Sequence, residues 1–175
     1  MPATASGRAE SVWDGAHCLL TIGLILVVSG AAFETLAVAT TLPATVRELG
    51  GLNLYGWAFS VFQLTSLIGI TVAGAEADRR GPAGPLIAGV ALFVAGLLVA
   101  GLAPSMPVLI LGRAVQGLGA GCISSVSYTV VGQGYAEAAR PQMLAIMASA
   151  WVIPGLIGPA IAGLVADSLG WRWIF

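Results

Sequence analysis

Five long stretches of this chain are almost free of charge, and they decide what it can fold into. They run from about Cys18 to Pro43, Tyr55 to Ala75, Pro85 to Ala103, Val108 to Val131 and Met143 to Ala166. At ~1.5 Å of rise per helical residue, runs of about 20 to 25 residues cross a hydrocarbon layer of ~30 Å. In that layer each backbone polar group needs a partner within its own segment, which a helix supplies. Only 9% of the residues are charged, against about 25% in soluble domains. So little charge cannot cover a water-facing surface, and it also excludes disorder, which needs a polar, charge-rich chain. The expected fold class is therefore all-α and integral to a membrane.

The glycine content, 24 of 175 residues, has no three-residue period and suits helices packed closely in lipid. With 7 basic and 8 acidic residues the net charge is −1, so there is no footprint for nucleic acid. All basic residues are arginine, a composition that suits a bacterial gene rich in G and C. Cys18 and Cys122 lie far apart in apolar surroundings and read as small buried residues. His17 is the one histidine, and no Cys/His cluster exists, so no metal site is expected. No nucleophile, base and oxyanion-donor set is visible either, which leaves an enzyme without support.

The connections between spans fix the organisation. Residues Met1 to His17 form a mixed, polar tail with Arg8, Glu10 and Asp14. A charged turn, Glu76 to Pro82, follows the second span, and Pro104-Ser105-Met106-Pro107 closes the third. Gly132 to Gln142 makes a polar loop with Glu137 and Arg140. After a turn at Asp167 to Gly170, Trp171-Arg172-Trp173-Ile174-Phe175 reads as the start of a sixth helix. The expected organisation is a tail over 1–17 and a half-bundle over 18–175, cut within helix six. Arg8, Arg79, Arg80 and Arg140 fall on the side of the N-terminus, and Arg47 and Arg172 on the other. That bias predicts a cytoplasmic N-terminus.

A few residues break the apolar rule. Glu34 is the only charge of the first span. A carboxylate in hydrocarbon has to be protonated, paired or turned to a wet cavity, which makes Glu34 a candidate proton carrier. Thr41, seven residues on, lies at nearly the same helical angle. Arg113 lies ~9 Å below Pro107 and Glu34 ~13 Å below Pro43, counted along their helices. These similar depths permit an ion pair between spans one and four. Gln116, Gly117 and Ala120 share the face of Arg113. The glycines of Gly117-Leu118-Gly119-Ala120-Gly121 read as packing positions, not as a dinucleotide loop, because no strand precedes them. In the fifth span Gly155, Pro159 and Gly163 recur every four residues, a smooth stripe for helix packing. Pro154 and Pro159 each remove a backbone hydrogen bond and favour a kink.

Four motifs, in this order, resemble the major facilitator superfamily and its proton-coupled drug antiporters. Phe33-Glu34-Thr35 through Leu42-Pro43 is similar to the antiporters' helix-one motif, with Glu34 in place of an aspartate. Gly74-Ala75-Glu76-Ala77-Asp78-Arg79-Arg80-Gly81 resembles the loop between helices two and three, although Glu76 replaces a leucine there. Arg113-Ala114-Val115-Gln116-Gly117-Leu118-Gly119 is similar to the helix-four motif whose arginine serves proton coupling. Gly158-Pro159-Ala160-Ile161-Ala162-Gly163 resembles the antiporter motif of helix five.

The resemblance implies the first half of a twelve- or fourteen-helix transporter, with substrate held between two six-helix halves. It implies Glu34 and Arg113 as the proton-coupling pair, with Thr41, Gln63 and Gln116 along a substrate cavity. Gly74, Asp78, Arg79 and Gly81 would form a conformational latch. Pro154, Gly155, Gly158, Pro159 and Gly163 would shape the antiporter helix. The implied energy source is a proton gradient with no cofactor, and the implied partners are the bilayer, a small amphipathic substrate and the missing C-terminal half. The implied location is a bacterial inner membrane. A nutrient symporter or uniporter of the same fold is the alternative, as is an inactive remnant or a membrane interaction module.

Overall fold

A computed structural model describes residues 12–175. Helix α1 spans Gly15–Leu49 and is followed by a 3-10 turn at Leu52–Leu54. Next come α2 (Tyr55–Arg80), α3 (Ala83–Gly101), α4 (Met106–Gly134), α5 (Arg140–Ser149) and α6 (Val152–Ser168), and a second 3-10 turn covers Trp171–Ile174. No strand occurs among the described residues. Helices α1 to α4, and α5 with α6 taken together, make five segments long and apolar enough to cross a membrane. Large apolar side chains such as Leu26, Leu67, Ile87, Leu111 and Leu164 point outward. In a bilayer that is the expected surface, because the solvent there is itself hydrocarbon.

Packing divides the bundle into two units. Helices α2 and α3 clasp α4, whereas α1 lies chiefly along α6 and meets α4 more lightly. Lipid supplies no hydrophobic drive between helices, so close van der Waals approach has to hold them. Glycine permits that approach. A Cβ on Gly112 would stand 2.6 Å from the backbone nitrogen of Ala100, and one on Gly119 would stand 2.6 Å from the carbonyl of Gly89. Both contacts join α4 to α3. Gly121 faces α2 in the same way, 2.8 Å from the nitrogen of Ile70.

Several boundaries differ from the sequence expectation. Helix α1 begins at Gly15, inside the expected tail, and Val12 is already buried, its carbonyl accepting from Thr21 Oγ1 at 2.7 Å. Arg8 and Glu10 of that tail lie outside the described residues. The expected charged turn at Glu76 to Pro82 is mostly helix. α2 continues to Arg80, Glu76 and Arg80 pair across one helical turn at 2.8 Å, and Gly81, with φ of 89°, ends the helix by donating to Ala77 O. Apolar periodicity cannot register this extension, since the last turn of a membrane helix reaches into water. The aromatic segment after Gly170 is a 3-10 turn, not a first turn of α-helix.

The fifth span, expected as a kinked helix, is one membrane-length segment interrupted at a single point, between α5 and α6. Pro154 has no N–H to give Ala150 O, and its ring crowds that carbonyl. The backbone at Ala150 and Trp151 keeps right-handed helical angles, but Trp151 N–H bonds three residues back to Ala148 O, and the regular ladder is interrupted there. The released carbonyl is met from α1, by Ser29 Oγ at 3.2 Å. Pro159, by contrast, stays within α6. Pro154→Ala is expected to restore the missing bond and fuse α5 with α6. Amide exchange around residues 151–154 would slow by about tenfold, the worth of one net hydrogen bond. Unchanged exchange there would show that Pro154 does not cause the break.

Candidate functional site

The buried polar cluster of this bundle lies where α1 meets α4. Glu34 comes from the middle of α1 and Arg113 from the second turn of α4, and both are almost fully buried. Arg113 Nη1 donates to Glu34 Oε1 at 2.5 Å and to Gln116 Oε1 at 2.7 Å. Its Nε points to the carbonyl of Ala58 on α2 at 3.4 Å. The guanidinium stands 4.1 Å from the centre of the Phe62 ring, in cation–π contact. The arginine thus answers to three helices at once. A desolvated ion pair persists only with such additional partners, because removing two charges from water is expensive.

The cluster is not closed. Glu34 Oε2 and Gln116 Nε2 are buried and, among the described residues, have no hydrogen-bond partner within ordinary distance. One carboxylate oxygen is therefore committed to the arginine and the other is available. Chemically, this arrangement can hold a proton on Oε2 or an ion pair through Oε1. A proton on the carboxyl removes the charge that Arg113 pairs with, so proton occupancy and a full ion pair are alternatives.

The remaining predicted residues fall in different places. Thr41 is buried, and its hydroxyl donates to Ala37 O in its own helix at 3.0 Å. Gln63 is exposed on α2, next to Phe62. Gly74 faces α4, where a Cβ would stand 3.0 Å from Ser125 Oγ. Asp78 and Arg79 are exposed in the last turn of α2, followed by Gly81.

The packing stripe of the fifth span is displaced from its expected position. Pro154, Gly158 and Ala162 are the buried face of α6. Gly155 and Pro159 are exposed, and a Cβ on Gly155 or Gly163 would meet nothing within 4 Å. Both sets recur every four residues, so periodicity alone cannot choose between them. The choice comes from α1: Phe33, the neighbour of Glu34, lies 3.5 Å from a Cβ on Gly158.

Two groups of polar contacts, one at each end of the bundle, escaped sequence reasoning. At the end of α1 opposite the N-terminus, Glu48 accepts from Trp171 Nε1 at 2.9 Å and from Arg172 Nη1. Arg172 also reaches Ala103 O at 3.3 Å. At the other end Thr21 and Tyr135 share a hydrogen bond of 2.8 Å, and the His17 ring N–H donates to Gly134 O at 3.1 Å. These partners lie 69 to 124 residues apart in the chain, and no local pattern links them. Among the described residues no three His, Cys, Asp or Glu side chains gather as a metal set.

The sequence profile of the Major Facilitator Superfamily matches residues 22–175. The chain belongs to the major facilitator superfamily. As a member of this family of membrane transporters it is a multi-pass membrane protein whose outward side chains contact lipid. It is 32% identical over 157 residues to the multidrug transporter protein MdtP of Bacillus subtilis, an alignment covering 90% of this chain and 29% of that protein. Similarity to multidrug resistance protein 3 of the same organism is 25% over 89% of this chain and 30% of the relative. The vacuolar basic amino acid transporter 5 of Saccharomyces cerevisiae is 30% identical over 90% of this chain and 27% of its own length. The chain thus spans less than a third of each of these facilitator relatives.

Proposed function

We propose that this facilitator chain forms part of a proton-coupled efflux transporter for small amphipathic compounds. The observation that carries the reading is the split use of Glu34, with Oε1 on Arg113 and Oε2 buried without a partner among the described residues. A proton arriving at Oε2 forms an O–H bond and leaves a neutral carboxyl. Arg113 then keeps Gln116 Oε1, Ala58 O and the Phe62 ring, so it loses one contact without being stranded. Loss of the proton restores the pair. Because α1 and α4 belong to different packing units, that exchange bears directly on how the two units sit together.

On this reading a second bundle, corresponding to the rest of the relatives' length, supplies the other wall of the substrate path. The N-terminus and the α2–α3 turn lie in the cytoplasm of a bacterial inner membrane, and Gly74, Asp78, Arg79 and Gly81 act there as the latch. Efflux of multiple drugs is favoured by the printed names of two of the relatives. A second reading, transport of a polar amino acid on the same fold, is favoured by the yeast relative.

Everted membrane vesicles from a pump-deficient bacterial host expressing the gene would test both. Acidifying the vesicle interior should drive uptake of a cationic dye, and Glu34→Gln should reduce uptake to background while leaving the protein inserted. Dye uptake that Glu34→Gln leaves untouched rules out this carboxyl as the coupling group. Uptake of arginine without dye uptake would favour the second reading.

A further inference from the structure

Arginine meets a carboxylate most strongly through two parallel N–H bonds, one to each oxygen. Arg113 does not meet Glu34 in that way. One nitrogen, Nη1, serves both Glu34 Oε1 at 2.5 Å and Gln116 Oε1 at 2.7 Å, and Glu34 Oε2 has no partner among the described residues. Both side chains are almost fully buried, where a second bond would be worth more than in water. The one-bonded geometry therefore needs a cause.

The cause lies on α2. Arg113 Nε points to Ala58 O at 3.4 Å, and the guanidinium carbon stands 4.1 Å from the centre of the Phe62 ring. Ala58 and Phe62 are one helical turn apart, so they form a cradle for one edge and one face of the guanidinium. The cradle is itself fixed. Phe62 is 6% exposed. A Cβ on Gly117, one turn beyond Arg113, would stand 2.3 Å from Phe62 O, so α4 rests on the backbone of α2 at this level. Thr65 Oγ1 donates to the same carbonyl at 3.2 Å and to Val61 O at 2.9 Å. Turning a second nitrogen toward Oε2 would lift the guanidinium plane off the ring and Nε off the carbonyl. Glu34 stands on α1, whose chief neighbour is α6, and so belongs to the other packing unit.

We propose that Phe62 is a positioning residue that holds Arg113 to a single bond with Glu34 and so keeps Glu34 Oε2 open to a proton. The proposal deepens the proton-coupling reading and rests on it for its physiological meaning. It also assigns the moving side: Arg113 is a fixed post of the α2–α4 unit, and Glu34 arrives and departs with α1. Without the ring, the guanidinium can turn and pair with both oxygens, which favours the carboxylate over its protonated form. Among the described residues Arg113 is the one charge that faces Glu34, beside the neutral Gln116. The other titratable groups on neighbouring elements are remote. Asp167 is exposed in the last turn of α6, and Arg140 at the start of α5 is turned to Tyr135 O. Those of α2 lie at its two ends, Tyr55 and Glu76 to Arg80, and Arg172 pairs with Glu48.

Infrared difference spectra of the full chain in nanodiscs, recorded as the pH is stepped, follow protonation without transport. The carboxyl C=O band that Glu34→Gln removes reports Glu34. Phe62→Leu should move the midpoint of that band to lower pH by about one unit, a tenfold loss of proton affinity, because the carboxylate gains a charge-assisted hydrogen bond. Phe62→Tyr, which keeps the aromatic face, should leave the midpoint in place. Phe62→Met, closer to phenylalanine in length, should repeat the shift and serves where Phe62→Leu does not insert. Midpoints of Phe62→Leu and Phe62→Met equal to that of the unaltered chain, or moved to higher pH, would overturn the proposal. So would a Phe62→Tyr midpoint displaced as far as that of Phe62→Leu, since packing and not the ring face would then be the cause. Absence of any band that Glu34→Gln removes would overturn the proposal and the coupling reading together, because Oε2 then takes no proton. The expected shift alongside efflux insensitive to Glu34→Gln would refute coupling alone. Efflux lost in Glu34→Gln, with no shift in Phe62→Leu, would refute the positioning role alone.

Discussion

Arg113→Ala is expected to destabilise the bundle by about 3–5 kcal/mol, the cost of removing one partner from a buried ion pair. The loss has identifiable parts. Glu34 Oε1 and Gln116 Oε1 lose their donor, the Phe62 ring loses its cation, and a carboxylate already lacking a partner for Oε2 becomes wholly unpaired. Thermal unfolding in detergent, followed through exposure of the Cys18 and Cys122 thiols, would measure it. Adding Glu34→Gln should recover part of the loss, because the neutral amide leaves no uncompensated charge. The double-mutant cycle then gives the coupling of the pair itself. An Arg113→Ala protein that unfolds with the unaltered chain would show that the ion pair contributes nothing to the fold.

Gly119→Val should be at least as damaging, by another route. The first added carbon already collides with the backbone of α3 at Gly89 and Phe93, and backbone cannot rotate aside. Overpacking a core by a methylene or two costs about 1–3 kcal/mol where side chains can adjust, and here they cannot. We expect little folded protein from Gly119→Val or Gly121→Val, judged by resistance to limited proteolysis in detergent. Gly155→Ala and Gly163→Ala provide the contrast. A Cβ at either site meets nothing within 4 Å, and alanine favours helix over glycine by up to ~1 kcal/mol. Both should match or slightly exceed the parent in stability. Equal behaviour of the two pairs would remove close approach as the basis of packing.

The helices were largely legible in the sequence because apolar length is a property of the segment itself. The common depth of Glu34 and Arg113 could be counted along two helices, and the structure brings the two side chains into contact. What escaped depended on a second element. The boundary at Arg80 is set by a local ion pair and a glycine cap beyond the apolar run. The face of α6 that packs is decided by Phe33, because the runs through Pro154 and Gly155 have the same period. The break at Ala150 follows from Pro154, yet its tolerance depends on Ser29, 121 residues away.

The two packing units are held internally by backbone-close glycine contacts or helix-long apolar contact, and the seam between them carries polar bonds at three levels. Thr21 with Tyr135 and His17 with Gly134 lie near one end, Glu34 with Arg113 lies at depth, and Arg172 with Ala103 lies near the other end. Steric complementarity is nearly all-or-none, because a misplaced carbon excludes the neighbour. A hydrogen bond can be exchanged for another of similar worth with little net change. The polar part of the seam is therefore tunable, whereas the apolar clusters that also cross it, Leu24 with Val126 and Leu42 with Ala58 and Leu109, are not. Substitutions of the seam's polar residues should shift the relative weight of alternative arrangements of two intact bodies, so variation in how those bodies sit together can accumulate there without passing through unfolded protein.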